Sequence, residues 1–439
     1  MSIDQAEVRA ALKAFGPGAT LDIADEQVEL LRYARSRITA QHSERRMRVR
    51  VRVQRGGCVV AGSIESLDPS TVDALAAKLS QALTVGPAPE DDVTDRQASG
   101  DDGVFDAVQS DPPVTTAAQR CQWFRTIRDG LGDGTNLGGS IRNDVIERVV
   151  ADAHGRYRAE TVTRLNVQAI AERDGRSVSL RTLRNAPSEI DIPSIAHRLR
   201  EQFVDLPTRE RAAGPVRVLL RPQAALTLIA TYGYAALGAA GYLENRTAVA
   251  GRMGEHVVSD LLTLTDDGTD PAGIPSRFDP AGTLRRRTPL IERGRLVGLV
   301  SDQKYAAVTG GVPTGHGVPL GWRFGADPAP SHLLVEPGED SDQQLLAGLG
   351  EGLVISRLDY LRVLHPKDTL VTGTTRDATY WASDGELVAW HPQVRLTFRM
   401  DEALRAVRAV GRDRQCGEQP FMESVVAPGL TVDAGPIEL

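Results

Sequence analysis

A chain of 439 residues, 41% hydrophobic and 25% charged, can bury two or three domain cores and has the make-up of an ordinary soluble globular protein. Its net charge of −7 excludes general binding to a nucleic-acid backbone, which needs clustered positive charge. Cys58, Cys121 and Cys416 are too few and too scattered for a disulfide framework or a Cys-x-x-Cys zinc site, and the N-terminus MSIDQAEVRAALKAFG has no basic-then-apolar leader pattern, so a cytoplasmic location is expected.

In RRMRVRVRVQRGG (45–57), Met47, Val49, Val51 and Val53 alternate with Arg48, Arg50 and Arg52, which predicts a half-buried antiparallel strand. The arginine row is either a basic stripe for an acidic partner or a wet face guarding a sheet edge, and the second is the simpler reading. A helix follows, with Asp68 as N-cap, Pro69 at its first position and a stripe of Val72, Leu75, Leu79 and Leu83. These elements form an α+β unit over 1–84. Residues 85–114 are acidic and rich in Pro, Gly and Ser, and predict a linker or long loop. Asp91, Asp92, Asp95, Asp101 and Asp102 do not follow calcium-loop spacing, so a solvated loop is expected there.

A second α+β unit of the same N-terminal region spans 115–208. It opens with a helix at 115–130, continues in strands turning at Ala153-His154-Gly155 and Asp174-Gly175, and closes with a helix at 193–205. The remainder, 209–439, is a mixed, β-rich domain. It has hairpin turns at Arg293-Gly294 and Asp384-Gly385, and a helix expected from Asp401 as N-cap to Gly411. Helices and antiparallel strands without a regular βαβ period predict an α+β fold.

LTLIATYGYAALGAAGYL (226–243) reads as one buried helix. No charge lies between Arg221 and Glu244, enough length to cross a bilayer, but the stretch is rich in Gly, Ala, Thr and Tyr and stands alone, so a core helix and no membrane are expected. Among the eight histidines none forms a His-Glu-x-x-His or other close pair, and His256 beside Glu255 lacks a second His one turn on. There is no Gly-x-Ser-x-Gly elbow and no Walker loop. GGVPTGHG (310–317) is a Gly-rich loop without the phosphate pattern, and Cys416 has no neighbour in sequence that would lower its pKa. The motifs alone give no self-contained active site.

Several stretches together resemble the TldD/TldE family, also called the PmbA or modulator-of-gyrase family. They are LRYARSRITAQHSERRMRVRVRVQRGGCVVAG (31–62), ADAHGRYRAETVTRLNVQAIAERDG (151–175), FDPAGTLRRRTPLIERGRLVGLVSDQKYAA (278–307), PTGHG (313–317), YWASDGELV (380–388) and QCG (415–417). They occur in the family's order. The resemblance implies a C-terminal domain of the TldD/PmbA type. It places VRVLLRPQAALTLIATYGYAALGAA (216–240) over the helix that bears His-Glu-x-x-x-His in the catalytic branch, where two His and a Cys near the C-terminus hold zinc.

Here the His and Glu positions fall on Ala230, Thr231 and Ala235, and only Cys416 is retained. Alanine and threonine cannot replace imidazole as zinc ligands. The resemblance therefore implies a TldE-like subunit with no cofactor of its own. It would complete the substrate cavity around a zinc-bearing TldD-like partner that hydrolyses peptides.

Tyr232, Tyr234, Thr314, Gly315, His316 and His365 are the cavity candidates. His316 replaces the Asn of the family's Thr-Gly-Asn-Gly, and HPKDTLVTGTTRDA (365–378) departs from its Asn-Pro loop. These departures point to a specialised amide-containing metabolite as an alternative to peptides. Other readings are a stand-alone homodimeric binding protein, and a thiol hydrolase using Cys416 with His316 or His391.

Overall fold

The computed structural model describes residues 3–85, 103–104, 114–210, 214–318, 327–420 and 422–437. The five aspartates considered for calcium lie outside the described residues.

The N-terminal half builds one sheet. The elements are α1 (Gln5–Phe15), β1 (Ala19–Ala34), β2 (Arg37–Arg55), β3 (Cys58–Ile64), α2 (Pro69–Val85), β4 (Gly103–Val104), α3 (Ala117–Leu131), β5 (Asn136–Asp152), β6 (Tyr157–Arg173), β7 (Arg176–Arg184) and α4 (Ile192–Glu201). Strand order is β3-β2-β1-β5-β6-β4, with β7 also on β6. Because β1 pairs with β5, the segments before and after 85–114 share this sheet.

Val49, Val51 and Val53 are buried with α1 and α2, as the alternation predicts. The arginine row differs from expectation. Arg50 and Arg52 lie beside β3, so they guard no edge, and Arg50 donates to Asp22 of β1 at 2.8 Å. An opposite cross-strand charge anchors it. The turn at Asp174-Gly175 has φ of 52° and 73°, the left-handed pair that a two-residue hairpin requires.

Helix α4 stops at Glu201, short of the 205 expected. Beyond it, the carbonyl of Val204 accepts from Trp390 Nε1 at 2.8 Å and that of Leu206 from Arg176 at 2.5 Å. These tertiary donors fix the path of 204–206 against Trp390 and Arg176.

The C-terminal half comprises β8 (Val218–Leu220), α5 (Pro222–Ala236), α6 (Ala239–Leu243), β9 (Leu264–Asp266), β10 (Thr288–Glu292), β11 (Arg295–Leu296), α7 (Gln303–Thr309), β12 (His332–Val335), α8 (Asp342–Leu349), β13 (Gly352–His365), β14 (Leu370–Ser383), β15 (Glu386–Trp390), β16 (Arg395–Arg399), α9 (Met400–Arg405), β17 (Val407–Val410), β18 (Gln415–Gln419), β19 (Met422–Ala427) and β20 (Leu430–Val432). Two sheets form, β11-β10-β9-β12-β19-β18 and β15-β14-β13-β8-β20-β17, with β16 on β14. The fold is α+β. Leu226, Leu228, Ile229 and Tyr232 of α5 are fully buried in a core fed by both sheets. The helix is a core element, and among the described residues no helix is long and apolar enough to cross a membrane.

Two expected helices are corrected. The stretch 226–243 is not continuous: Ala239 N donates to the Val300 carbonyl at 2.9 Å and Val300 N to that of Leu237 at 3.1 Å, which breaks it between α5 and α6. The helix expected from Asp401 to Gly411 starts at Met400 and ends at Arg405, and 407–410 is strand β17 paired with β20. Asp401 accepts from Thr369 Oγ1 at 2.6 Å, tying it to the 366–369 turn instead of capping the helix. Pairing with the sheet outweighs local helix preference here.

The break after α5 also fixes the neighbouring loop. A side chain at Gly238 would place its Cβ 2.2 Å from the Pro328 carbonyl oxygen. Gly238→Ala is therefore expected to lower unfolding free energy by about 1–3 kcal/mol, the usual range for overpacking. Chemical denaturation reads this directly, and an unchanged midpoint would show that the loop yields freely.

Candidate functional site

The sheet face opposite α1–α4 carries Arg148, Glu160, Arg164 and Asn166, and it meets the C-terminal half. Arg148 donates to Ser276 at 2.8 Å, Asn166 donates to Glu418 at 3.0 Å, and Arg164 pairs with Glu423. A cavity of about 580 Å³ opens along this junction, with Gln223 and Tyr234 of α5 on its wall.

Gln223, Thr227 and Thr231 follow at i, i+4 spacing on one face of α5. Their polar atoms are committed. Thr231 Oγ1 donates to the Thr227 carbonyl at 2.7 Å, and Thr227 Oγ1 donates to that of Gln223 at 3.1 Å. Gln419 Nε2 donates to Thr227 Oγ1 at 3.1 Å, and Gln415 Nε2 to Gln223 Oε1 at 3.2 Å, so α5 is pinned to β18. Ala230 is buried in the core, while Thr231 and Ala235 are half-buried.

Behind the cavity stands a buried polar cluster. Asp266 is fully buried; its Oδ1 meets His316 Nε2 at 2.8 Å, and its Oδ2 accepts from Ser331 N at 2.7 Å and His332 N at 2.9 Å. Burial alone would raise this carboxyl. The charge and hydrogen bond of His316, with the hydrogen bond from the His332 amide, outweigh that and hold Asp266 well below its ordinary range. Asp266 is thus ionised and His316 Nε2 carries the proton.

His316 Nδ1 lies 2.8 Å from Thr314 Oγ1, which is held by Ser301 N at 2.7 Å. Both ring nitrogens of His316 are therefore taken, and it has no lone pair free for a metal or a substrate proton. Burial, reinforced by nearby Arg285, pushes His332 well below the usual histidine value, so its imidazole is neutral. Arg285 donates to the Gly315 carbonyl at 2.9 Å and to Ser331 Oγ at 2.5 Å.

The structure brings together some of the residues singled out in the sequence. Tyr234 and His316 line the cavity, with Thr314 and Gly315 just behind. Tyr232 does not reach it and fills the core between the sheets. His365 does not line it either: it lies at the surface end of β13, 3.1 Å from Asp368. His391 is bonded to the Pro392 carbonyl at 2.8 Å.

Cys416 sits among Val162, Leu183, Ile274, Leu334 and Val426, and burial pushes its thiol up to about 12. That is the reverse of a reactive thiolate. It is Gly417 that faces α5, where an added Cβ would lie 2.9 Å from Leu226. Among the described residues no group of three or more His, Cys, Asp or Glu could hold a metal ion.

Sequence reasoning missed Arg148, Arg164, Arg181, Arg285 and Asp266. Nothing local in the sequence showed that this face closes a cavity.

The family model for the PmbA/TldA metallopeptidase C-terminal domain matches residues 213–436. An uncharacterized protein of Methanocaldococcus jannaschii is 29% identical over 125 residues, 28% of this chain and 30% of that protein. A metalloprotease of Methanothermobacter thermautotrophicus is 24% identical over 177 residues, 40% of this chain and 38% of that one. The chain thus spans well under half the length of these relatives. Among solved structures, TldE from Thermococcus kodakarensis superposes with a TM-score of 0.84 at 17% identity, covering 99% of both chains. A proposed modulator of a DNA gyrase from Thermotoga maritima does so at 0.80 and 18% identity, covering 99% of this chain and 98% of that one.

The buried cluster makes two predictions. Asp266→Asn keeps one oxygen for the Ser331 and His332 amides but removes the charge and turns an NH2 group toward His316 Nε2, and is expected to cost about 3 kcal/mol at neutral pH. A carboxyl with a depressed folded pKa stabilises above its unfolded value, and that stability is lost as the pH falls below about 4. The gap in denaturation midpoint between wild type and variant should narrow there, and a gap independent of pH would contradict the ionised pair. In the native protein, a thiol reagent should label Cys58 and Cys121 well before Cys416, which should react only on unfolding. Fast native labelling of Cys416 would restore it as a candidate nucleophile.

Proposed function

The chain belongs to the PmbA/TldD family, and from that premise we propose that it is a metal-free, TldE-like subunit of a heterodimeric zinc metallopeptidase. It completes the substrate cavity around a TldD-like catalytic partner, and the complex hydrolyses peptides or a specialised amide-containing metabolite. The same reading places the complex in the cytoplasm and gives this chain no cofactor of its own.

The observation that carries the proposal is the chemistry of α5. Where the resemblance expects zinc ligands and a base, Ala230 and Ala235 offer methyl groups, and the Thr231 hydroxyl donates to its own helix 2.7 Å away. Cys416 is turned into an apolar cluster away from α5. These residues do not fit a zinc ion, which takes three or four N, S or O donors at about 2.0–2.3 Å. The cavity beside the helix is nevertheless built, with Gln223 and Tyr234 on its wall. A cavity without reacting groups suits a chain that binds and orients substrate. Zinc on the partner would polarise the amide and activate water. The thiol-hydrolase reading is disfavoured by the burial of Cys416.

The test is elemental analysis of the chain purified alone, followed by mixing with a TldD-like subunit bearing His-Glu-x-x-x-His. Negligible zinc alone, a stable heterodimer, and amide hydrolysis only by the mixture are expected. A full equivalent of zinc on the isolated chain, or hydrolysis by it alone, would refute the proposal.

A further inference from the structure

Four arginines and three carboxylates line the cavity: Arg148, Arg164, Arg181 and Arg285, against Asp327, Glu418 and Glu423. Each acidic group already has a partner: Glu423 holds Arg164, Asp327 holds Arg246 at 2.6 Å, and Glu418 accepts from Asn166 at 3.0 Å. Arg148 is paired with Glu160 at 3.1 Å. Arg181 and Arg285 have no carboxylate in direct contact among the described residues; Asp359, Asp377 and Glu418 act on the first, and Asp266, Asp279 and Glu160 on the second, only from a distance.

Arg285 is 9% exposed, and its donors go only to neutral acceptors, the Gly315 carbonyl and Ser331 Oγ. Its Nε has no partner among the described residues. Arg181 has an unpartnered buried Nε as well, and belongs to no ion pair among the described residues. Arginine stays charged at any physiological pH, so neither group escapes its burial by losing a proton. A buried guanidinium with no carboxylate in direct contact leaves donors unmet, and its planar fork of donors matches a carboxylate.

We propose that this cavity binds an acidic peptide, with Arg181 and Arg285 as the two positions that take its carboxylates. The inference rests on reading the cavity as the substrate-facing one and adds the chemical class of the substrate. The other side chains follow from it. Tyr234 and Gln223 supply an aromatic face and an amide for the peptide between its charges. The Asp266 cluster holds Ser331 and Gly315, the two acceptors that aim Arg285.

The test is calorimetric titration of the isolated full chain with acetyl-Ala-Glu-Glu, its C-terminus free, and with acetyl-Ala-Gln-Gln-amide. The acidic peptide should bind at least about tenfold more tightly, the factor that one charge-assisted contact supplies. Arg181→Gln should weaken the acidic peptide by about tenfold or more and leave the neutral one unchanged. Arg285→Gln should do the same. Should that variant fail to fold, Arg181→Gln, which breaks no hydrogen bond of the native protein, decides the matter alone.

Equal affinity for the two peptides, no binding of the acidic one, or an unchanged affinity in folded Arg181→Gln would overturn the proposal. In the assembled heterodimer the two readings separate. Hydrolysis of acidic and neutral peptides alike would remove the acidic preference and keep the subunit role. Charge-selective binding by a chain that joins no zinc-bearing partner would remove the subunit role instead.

Discussion

The cavity depends on one fully buried carboxylate. Asp266 closes β9 and gathers the loop at 314–317 through His316 and the start of β12 through the amides of Ser331 and His332. Arg285 joins the same two segments again, donating to the Gly315 carbonyl and to Ser331 Oγ. A buried ion is expensive unless each of its lone pairs is met, and here three donors meet them. The result is a rigid wall from which Arg285 is aimed through Gly315 and Ser331. His316, the histidine that draws the eye in the sequence, serves this wall with both ring nitrogens.

Much of the fold was legible in the residues. Alternation identified the valine face of β2, and Asp-Gly and Arg-Gly pairs marked hairpins whose backbones are left-handed as required. What was not legible depends on partners distant in the chain. The path of the chain beyond α4 is set by Trp390 and Arg176, the break after α5 by Val300, and the end of α9 by the free edge of β20. Local periodicity contains no information about any of them.

The candidate site divides in the same way. The absence of ligands on α5 was a plain reading of Ala230, Thr231 and Ala235, given the resemblance. Tyr232 and Tyr234 are two residues apart and looked alike. A helix turns about 100° per residue, so one is in the core and the other at the cavity. The arginines of β5, β6 and β7 were not singled out, because a wet face and a cavity wall have the same pattern in sequence until a second domain covers one of them.

The orientation of β18 limits how this chain could change its role. Gly417 is the residue against α5, and the missing side chain lets Leu226 approach. Cys416, its neighbour, necessarily points to the opposite side of the strand. Substituting two histidines and a glutamate into α5 would thus supply part of a zinc site and no sulfur. Bringing Cys416 round would take a slip of one residue in β18 against β19, which turns every side chain of the strand over and drives Gln415 and Glu418 out of their present contacts. Strand register thus keeps the Cys416 sulfur away from α5, and point substitutions on α5 alone do not bring it there.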